Sequence, residues 1–529
     1  MWFCLFTSLS IITSCYRSDN NDDTIDYKEN YGNDDTSELI NLGIDIYKTY
    51  QVIDGFGASD CMCGNYVGRD WTDSERSDIA DLLFSQKIYG NQPEGIGLSM
   101  WRSNLGAGSA NPGVESDIAG QFRKAECYLQ KNGAYDWSLC AGQRYFMQAA
   151  KQRGCNNFVL FSLSPPIWYT KNGKSYSSSG YYANLKNDYY DKTTDYFAKV
   201  ASHYKQLGYN ISLISPVNET QFKWDTNKQE GTSWTNSEIA RLCRSLDKSL
   251  TKEGLDTKIL LSEAGSYKYL YESSLVNHSN QIKDFFNSSS LNYIGNLEHI
   301  AKIITGHSYW TDSNLAEIRS VRTKLHSIAS SYGLATYQSE WSMLGAGYNG
   351  PHYVPYEDAN DMDIAMILSQ VIYGDLVYAY TTSWCFWTAM NMERYGQKDR
   401  FMLISLVPSD GKYGHIVNSG THAARKTLWV LGNYSRFIRP GYKRVSISSG
   451  IDNDCYGTAF ISPDAETLVV VMTNFKKTIQ KFNPKIKDFK ATSVKKYVTS
   501  ESANLMKVDS DQDILKVPAK SVTTFVFSK

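Results

Sequence analysis

Short apolar runs alternate with longer amphipathic stretches along most of this chain. The runs Gln51–Ser59, Gly95–Arg102, Phe158–Ser162, Ile211–Ser215, Lys258–Ser262, Ile303–Gly306, the stretch ending at Glu340, and Tyr380–Trp387 are β-branched or aromatic and read as strands. Helical signals fall between them. Thr72 with Glu75 and Thr235 with Glu238 have capping-box spacing. Phe197, Val200, Ala201 and Tyr204 form an i, i+3, i+4, i+7 stripe within Asp195–Leu207, and Ala141–Arg153, Asn314–Ile328 and Met362–Asp375 carry further helical patterns. Strand and helix signals interleaved in this way predict a parallel (β/α)8 barrel of the TIM type over residues 51–425. An open doubly wound sheet is the alternative; units of this number and length favour closure.

The pattern changes near Trp429. Lys443–Ile447, Thr458–Ile461, Thr467–Thr473, Ser493–Thr499 and Val522–Phe527 alternate or are β-branched, with turn residues and no long helix between them. Residues 426–529 therefore read as an all-β sandwich. Ile40–Tyr47, within residues 39–50, alternates as well and is expected to complete that sandwich from the N-terminal side.

Before it lies Met1–Ser14, an apolar segment too short to span a bilayer and ending in small residues. Ile12-Thr13-Ser14-Cys15 resembles a lipobox, although the segment lacks the basic residue usual before such a run. Residues 1–15 are thus expected to be a signal peptide with Cys15 the lipidation site; an ordinary cleaved signal peptide is the alternative. Residues 16–38, rich in Asp, Asn and Ser, read as a disordered acidic tether. Such tracts look like the export signals of Bacteroides-type surface lipoproteins. The expected location is the outer membrane or cell surface of a Gram-negative bacterium, otherwise the periplasm or medium, with membrane contact only through the anchor.

Net charge is −1, so nothing in the overall balance argues for nucleic acid. Most of the 12 Trp and 38 Tyr read as core, and a surplus also suits carbohydrate, whose C–H faces pack on flat rings. Beyond Cys4 and Cys15, the cysteines have no CxxC or zinc-like spacing and read mostly as buried thiols, with one or two disulfides open. No metal and no cofactor is implied, and a monomer is expected.

Two carboxylates carry the chemistry. Pro216 ends the fourth strand and delivers Asn218 and Glu219 beyond it, while the seventh strand ends in Glu340 beside Trp341. The rim beyond strand C-termini is where parallel barrels do chemistry. Two carboxyls there are the minimum equipment for glycoside hydrolysis, one to protonate the departing oxygen and one to act on the anomeric carbon. Glu219 suits the acid/base and Glu340 the nucleophile, with Asn218 placed for a sugar hydroxyl. Arg102, His307 and Tyr309 are candidates to orient Glu340; His307 reads equally as substrate contact or packed ring. Asn104 lies at the same rim. Trp168, Trp310, Trp341 and Trp384 are candidate sugar platforms, at least two of them serving as such. Glu263 reads as a structural or subsite residue, and Gly106-Ala107-Gly108 as a flexible loop at the cleft.

DGFGAS (Asp54–Ser59), SPVNE (Ser215–Glu219), SEW (Ser339–Trp341) and Phe437-Ile438-Arg439-Pro440-Gly441 resemble glycoside hydrolase family 30. The resemblance covers roughly Asp45 to the C-terminus and falls nearest the endo-β-1,6-galactanase-like group. It implies a barrel with an attached β-sandwich, double displacement with retention, Glu219 as acid/base and Glu340 as nucleophile, and a β-linked galactan as substrate. β-1,6-Glucan and xylan are the alternatives within the family. An exo-acting enzyme and a glycan-binding lipoprotein without catalysis are the alternatives outside this reading.

Overall fold

The structure is a computed structural model that describes residues 37–344, 348–355, 358–392, 400–411, 415–448 and 453–529. Eight parallel strands close into a barrel: β1 Gly55–Ser59, β2 Met100–Asn104, β3 Asn157–Phe161, β4 Ile211–Ser215, β5 Lys258–Ala264, β6 Ile300–His307, β7 Ala335–Trp341 and β8 Thr381–Phe386, with β8 pairing to β1. Closure removes the open-sheet alternative. Met100, Val159, Leu213, Leu260, Ala301, Tyr337 and Cys385 fill the barrel's interior as one cluster. Side chains alternate along a strand, so these residues mark which neighbours face inward toward the rim. Close approach of backbones explains Gly57 in the DGFGAS stretch. A β-carbon there would fall 2.8 Å from the Met100 carbonyl oxygen and 2.9 Å from the Cys385 sulfur.

The helices Asp73–Phe84, Asn236–Lys252, Leu315–Ser331 and Asp361–Val377 surround the barrel and are capped by Thr72, Thr235, Asn314 and Asn360. Asp361–Val377 is apolar nearly all round because it is covered on both sides, by the barrel and by the second domain.

That domain is a nine-stranded sheet that folds over itself into a sandwich; its far strand Leu515–Val517 lies back against Thr467–Asn474 and Ser521–Ser528. The N-terminal strand Leu39–Val52 is integral to it, antiparallel to Lys443–Ser448 and parallel to Gln480–Lys487. The sequence pattern missed Gln480–Lys487 because Pro484 interrupts it. Arg436 locks the two domains together, donating to the carbonyl oxygens of Ser85, Gln86, Lys87 and Gly95 below the barrel. Burial among these neutral acceptors lowers its guanidinium to about 10. Arg439 of the Phe437–Gly441 stretch adds bonds to the Gly97 and Ser435 carbonyls.

The eight cysteines of the described residues are all buried free thiols, so no disulfide forms among them. Cys15, the signal segment and nearly all of the acidic tether lie outside the described residues. Among the described residues no helix is long and apolar enough to cross a membrane.

Candidate active site

Alternation along β2 sends Met100, Arg102 and Asn104 to the same inward face, and the same rule brings Ser215, His307 and Cys385 inward from β4, β6 and β8. A register shift in β7 between Gln338 and Glu340 turns Glu340 inward and Trp341 outward. Glu219 follows β4 in a left-handed conformation (φ 44°) that costs a side-chain-bearing residue about 1–2 kcal/mol. Three bonds hold it there. Its N–H donates to the Glu263 carbonyl at 2.7 Å, and its own carbonyl accepts from the Phe222 N–H at 3.1 Å and the Trp224 indole at 3.0 Å.

Glu219, His307 and Glu340 converge, and one oxygen of each carboxylate and one ring nitrogen all lie within 4.8 Å of one another. Arg102 donates to Glu340 at 3.0 Å and to Asn218 at 3.2 Å, its guanidinium lying 3.6 Å from the centre of the Phe161 ring. Tyr309 donates to the other Glu340 oxygen at 3.3 Å. The ring of His307 is packed: Nδ1 lies 2.9 Å from Glu219 and Nε2 lies 3.2 Å from Glu263 and 3.7 Å from Glu340.

Burial alone would strip the His307 proton, but the carboxylates of Glu340, Glu219 and Glu263 raise the imidazole to about 10, so it is cationic at neutral pH. Glu340 is pushed up to about 6, first by burial and then by its acidic neighbours, against the pull of His307 and Arg102.

Glu263 is the residue whose importance the sequence understated. It is fully buried, accepts from Ser215 and Ser339 at 2.5 Å each, and pairs with Arg102 at 3.3 Å. Burial would raise its carboxyl, but Arg102, His307 and Ser215 override this and bring it down to about 2. Replacing Glu263 by Gln removes the counter-charge of two buried cations, so a loss of about 3–5 kcal/mol in denaturant unfolding at neutral pH is expected. The sign with pH follows from the shifts. The Glu263 contribution is complete above its ordinary value of 4.5 and is lost as pH falls toward about 2. The His307 contribution is complete below 6.5 and is lost as pH rises toward about 10. In the variant, which lacks one of the carboxylates that raise His307, the alkaline loss of stability should still begin near 6.5 but be smaller and end at lower pH.

The cleft above these groups has a volume of about 260 Å³. Asn218, Glu219, Tyr309 and Glu340 form its floor; Trp224, Trp310, Trp387, Leu163, Leu344 and Phe401 wall it, with Arg123 and Gln229 at one side. Of the four expected platforms only Trp310 lines this cleft, one fewer than the two expected at the least. Trp341 and Trp384 are fully buried, their indoles donating to Asp312 at 2.7 Å and Asp375 at 2.8 Å in the layer between barrel and helices. Alternation is the reason: Cys385 faces inward, so Trp384 faces out and Trp387 falls on the cleft side. Trp168 is half-buried, donates to the Leu129 carbonyl at 3.1 Å, and does not line the cleft. Asn104 sits beneath the rim, its N–H donating to Asp60 and its side-chain amide finding no protein partner.

The Gly106-Ala107-Gly108 loop is pinned rather than flexible. The N–H groups of Ala107 and Ser109 and the Ser109 hydroxyl all donate to the buried carboxylate of Glu230. Burial raises Glu230 to about 7 despite these donors. Glu230 thereby ties the loop after β2 to the segment carrying Trp224 and Gln229.

A closed parallel barrel with a β-sandwich partly built by the N-terminal strand, and paired glutamates after β4 and in β7, define a barrel glycosidase. A family model described as O-glycosyl hydrolase family 30 matches residues 39–402, and the chain belongs to that family of glycoside hydrolases. It is 25% identical over 418 residues to an endo-β-1,6-galactanase of Hypocrea rufa, covering 76% of this chain and 75% of the relative. A conserved exported protein from Bacteroides fragilis has a similar structure, with a TM-score of 0.85 and 29% identity, covering 92% of this chain and all of the other. An endo-β-1,6-glucanase shares the fold at a TM-score of 0.64 and 17% identity, over 92% of this chain and 94% of its own.

Proposed function

We propose that this glycoside hydrolase is a retaining, endo-acting enzyme in which Glu340 attacks the anomeric carbon and Glu219 is the acid/base. The separation of the two carboxyls carries the reading. An inverting enzyme keeps them about 6.5–9.5 Å apart to admit a water, whereas retention needs about 5–5.5 Å. Glu219 and Glu340 bring oxygens within 4.8 Å of each other, which favours the shorter separation of a retaining enzyme.

In the first step the Glu340–C1 bond forms as the C1–oxygen bond breaks, and the proton of Glu219 passes to the departing sugar. Glu219 then takes a proton from water, whose oxygen replaces Glu340 at C1. Arg102 and Tyr309 hold Glu340 aligned for attack. Asn218, itself fixed by Arg102, faces the cleft where the hydroxyl next to C1 would lie.

The substrate is a β-1,6-linked galactan, as in arabinogalactan side chains. Likeness to the Hypocrea rufa galactanase over three quarters of both chains supports this choice. Hydrolysis of de-arabinosylated type II arabinogalactan, β-1,6-glucan and xylan, with product sizing, tests it. Early galacto-oligosaccharides are expected; preference for glucan or xylan overturns the sugar, and monosaccharide alone overturns endo action. The protein is further proposed to be exported and anchored through Cys15, supported by the lipobox-like segment and by the exported relative from Bacteroides fragilis. Metabolic labelling with a radioactive fatty acid, lost in Cys15→Ala, is the expected result.

A further inference from the structure

Trp310 is the unusual residue of the cleft. It is 51% exposed and lies at φ 55°, where only glycine is relaxed, so the fold pays twice to hold a large indole in water. Its neighbours are aromatic. The Phe222 ring meets it edge-on at 5.5 Å and the Tyr309 ring lies at 5.8 Å. Phe222 in turn rests against Gly265 at the end of β5. A β-carbon built on Gly265 would fall 2.5 Å from the Phe222 ring and 3.5 Å from the carboxyl carbon of Glu219. The aromatic surface therefore begins beside the Glu219 carboxyl itself.

We infer that Trp310, backed by Phe222, is the platform for the first sugar on the leaving side of the scissile bond. This rests on Glu219 being the acid/base. The oxygen that Glu219 protonates belongs to the departing sugar, so that sugar lies on the Glu219 side of the cleft, and the exposed ring there is Trp310. The ligand is a β-linked hexopyranose within a longer glycan, its C–H face laid on the indole. The same surface holds an acceptor sugar during the second step. Its hydroxyl then replaces water at C1, giving a longer glycan instead of hydrolysis, with Glu219 taking the hydroxyl proton.

The test compares two substrates in wild type and Trp310→Ala. One is a tetrasaccharide of the glycan the wild type cleaves, chosen from β-1,6-galactan, β-1,6-glucan and xylan. The other is the β-fluoride of the matching disaccharide, whose leaving group carries no sugar. On the tetrasaccharide kcat/KM should fall roughly 10–100-fold, the scale of one lost ring stack. On the fluoride it should change less than about threefold, and the share of transglycosylation product should drop. Trp310→Tyr should recover most of the tetrasaccharide activity. Equal losses on both substrates, or no loss on the tetrasaccharide, overturn the platform. If the wild type cleaves none of the three glycans, no matching tetrasaccharide exists, and the reading of Glu219 as acid/base fails together with the platform.

Discussion

Replacing Glu340 by Gln is expected to abolish turnover, with kcat on the polysaccharide falling about 10⁴-fold or more. The amide is nearly the same size, and its single oxygen still accepts from one of the two donors that hold the carboxylate, Arg102 at 3.0 Å or Tyr309 at 3.3 Å. The fold and the cleft should therefore survive, and calorimetry should still detect oligosaccharide binding. What disappears is the oxygen able to bond to C1. The same residue sets the acid limb of the wild-type profile. Attack needs the ionised carboxylate, and the group titrates at about 6, so kcat/KM should fall as pH drops below that value. Activity in Glu340→Gln within tenfold of wild type would remove the residue from the reaction.

Replacing Glu219 by Ala should produce a second and different signature. For a natural glycan the departing oxygen is a poor leaving group and must be protonated, so a loss of about 10²–10⁴-fold is expected. A dinitrophenyl glycoside needs no such help. With it, formation of the glycosyl-enzyme should stay fast while its breakdown, deprived of a base, becomes slow, giving a burst followed by a low steady rate. Added azide fits the space left by the carboxylate and needs no deprotonation. It should restore turnover and yield the β-glycosyl azide. Equal losses on both substrates, with no azide rescue, would mean that Glu219 acts through structure alone.

The barrel and the two glutamates that converge at its rim were legible because strand signals and the residues just past them are local features of sequence. Pro216 ends a β-branched run and leaves Glu219 beyond the sheet; no distant contact is needed to see that. The sandwich was legible for the same reason, except where Pro484 hides a strand that only pairing with Leu39–Val52 reveals. The aromatic walls were harder. Choosing Trp384 over Trp387 required knowing which face of β8 points inward, and Cys385 in the interior cluster settles that only once the barrel closes. Trp341 went astray through the register shift in β7, which leaves no mark in the sequence. The weight of Glu263 was hidden because it comes from partners on four other strands: Ser215, Arg102, His307 and Ser339. Likewise the Gly106–Gly108 loop looks mobile until Glu230 is seen beneath it.

The most direct check on the account follows the anomeric proton of the first product by NMR, before mutarotation intervenes. Under the proposed double displacement the β-anomer should appear first and the α-anomer grow in only later. Initial release of the α-anomer would mean that a water enters between Glu219 and Glu340, contrary to the geometry on which the mechanism stands.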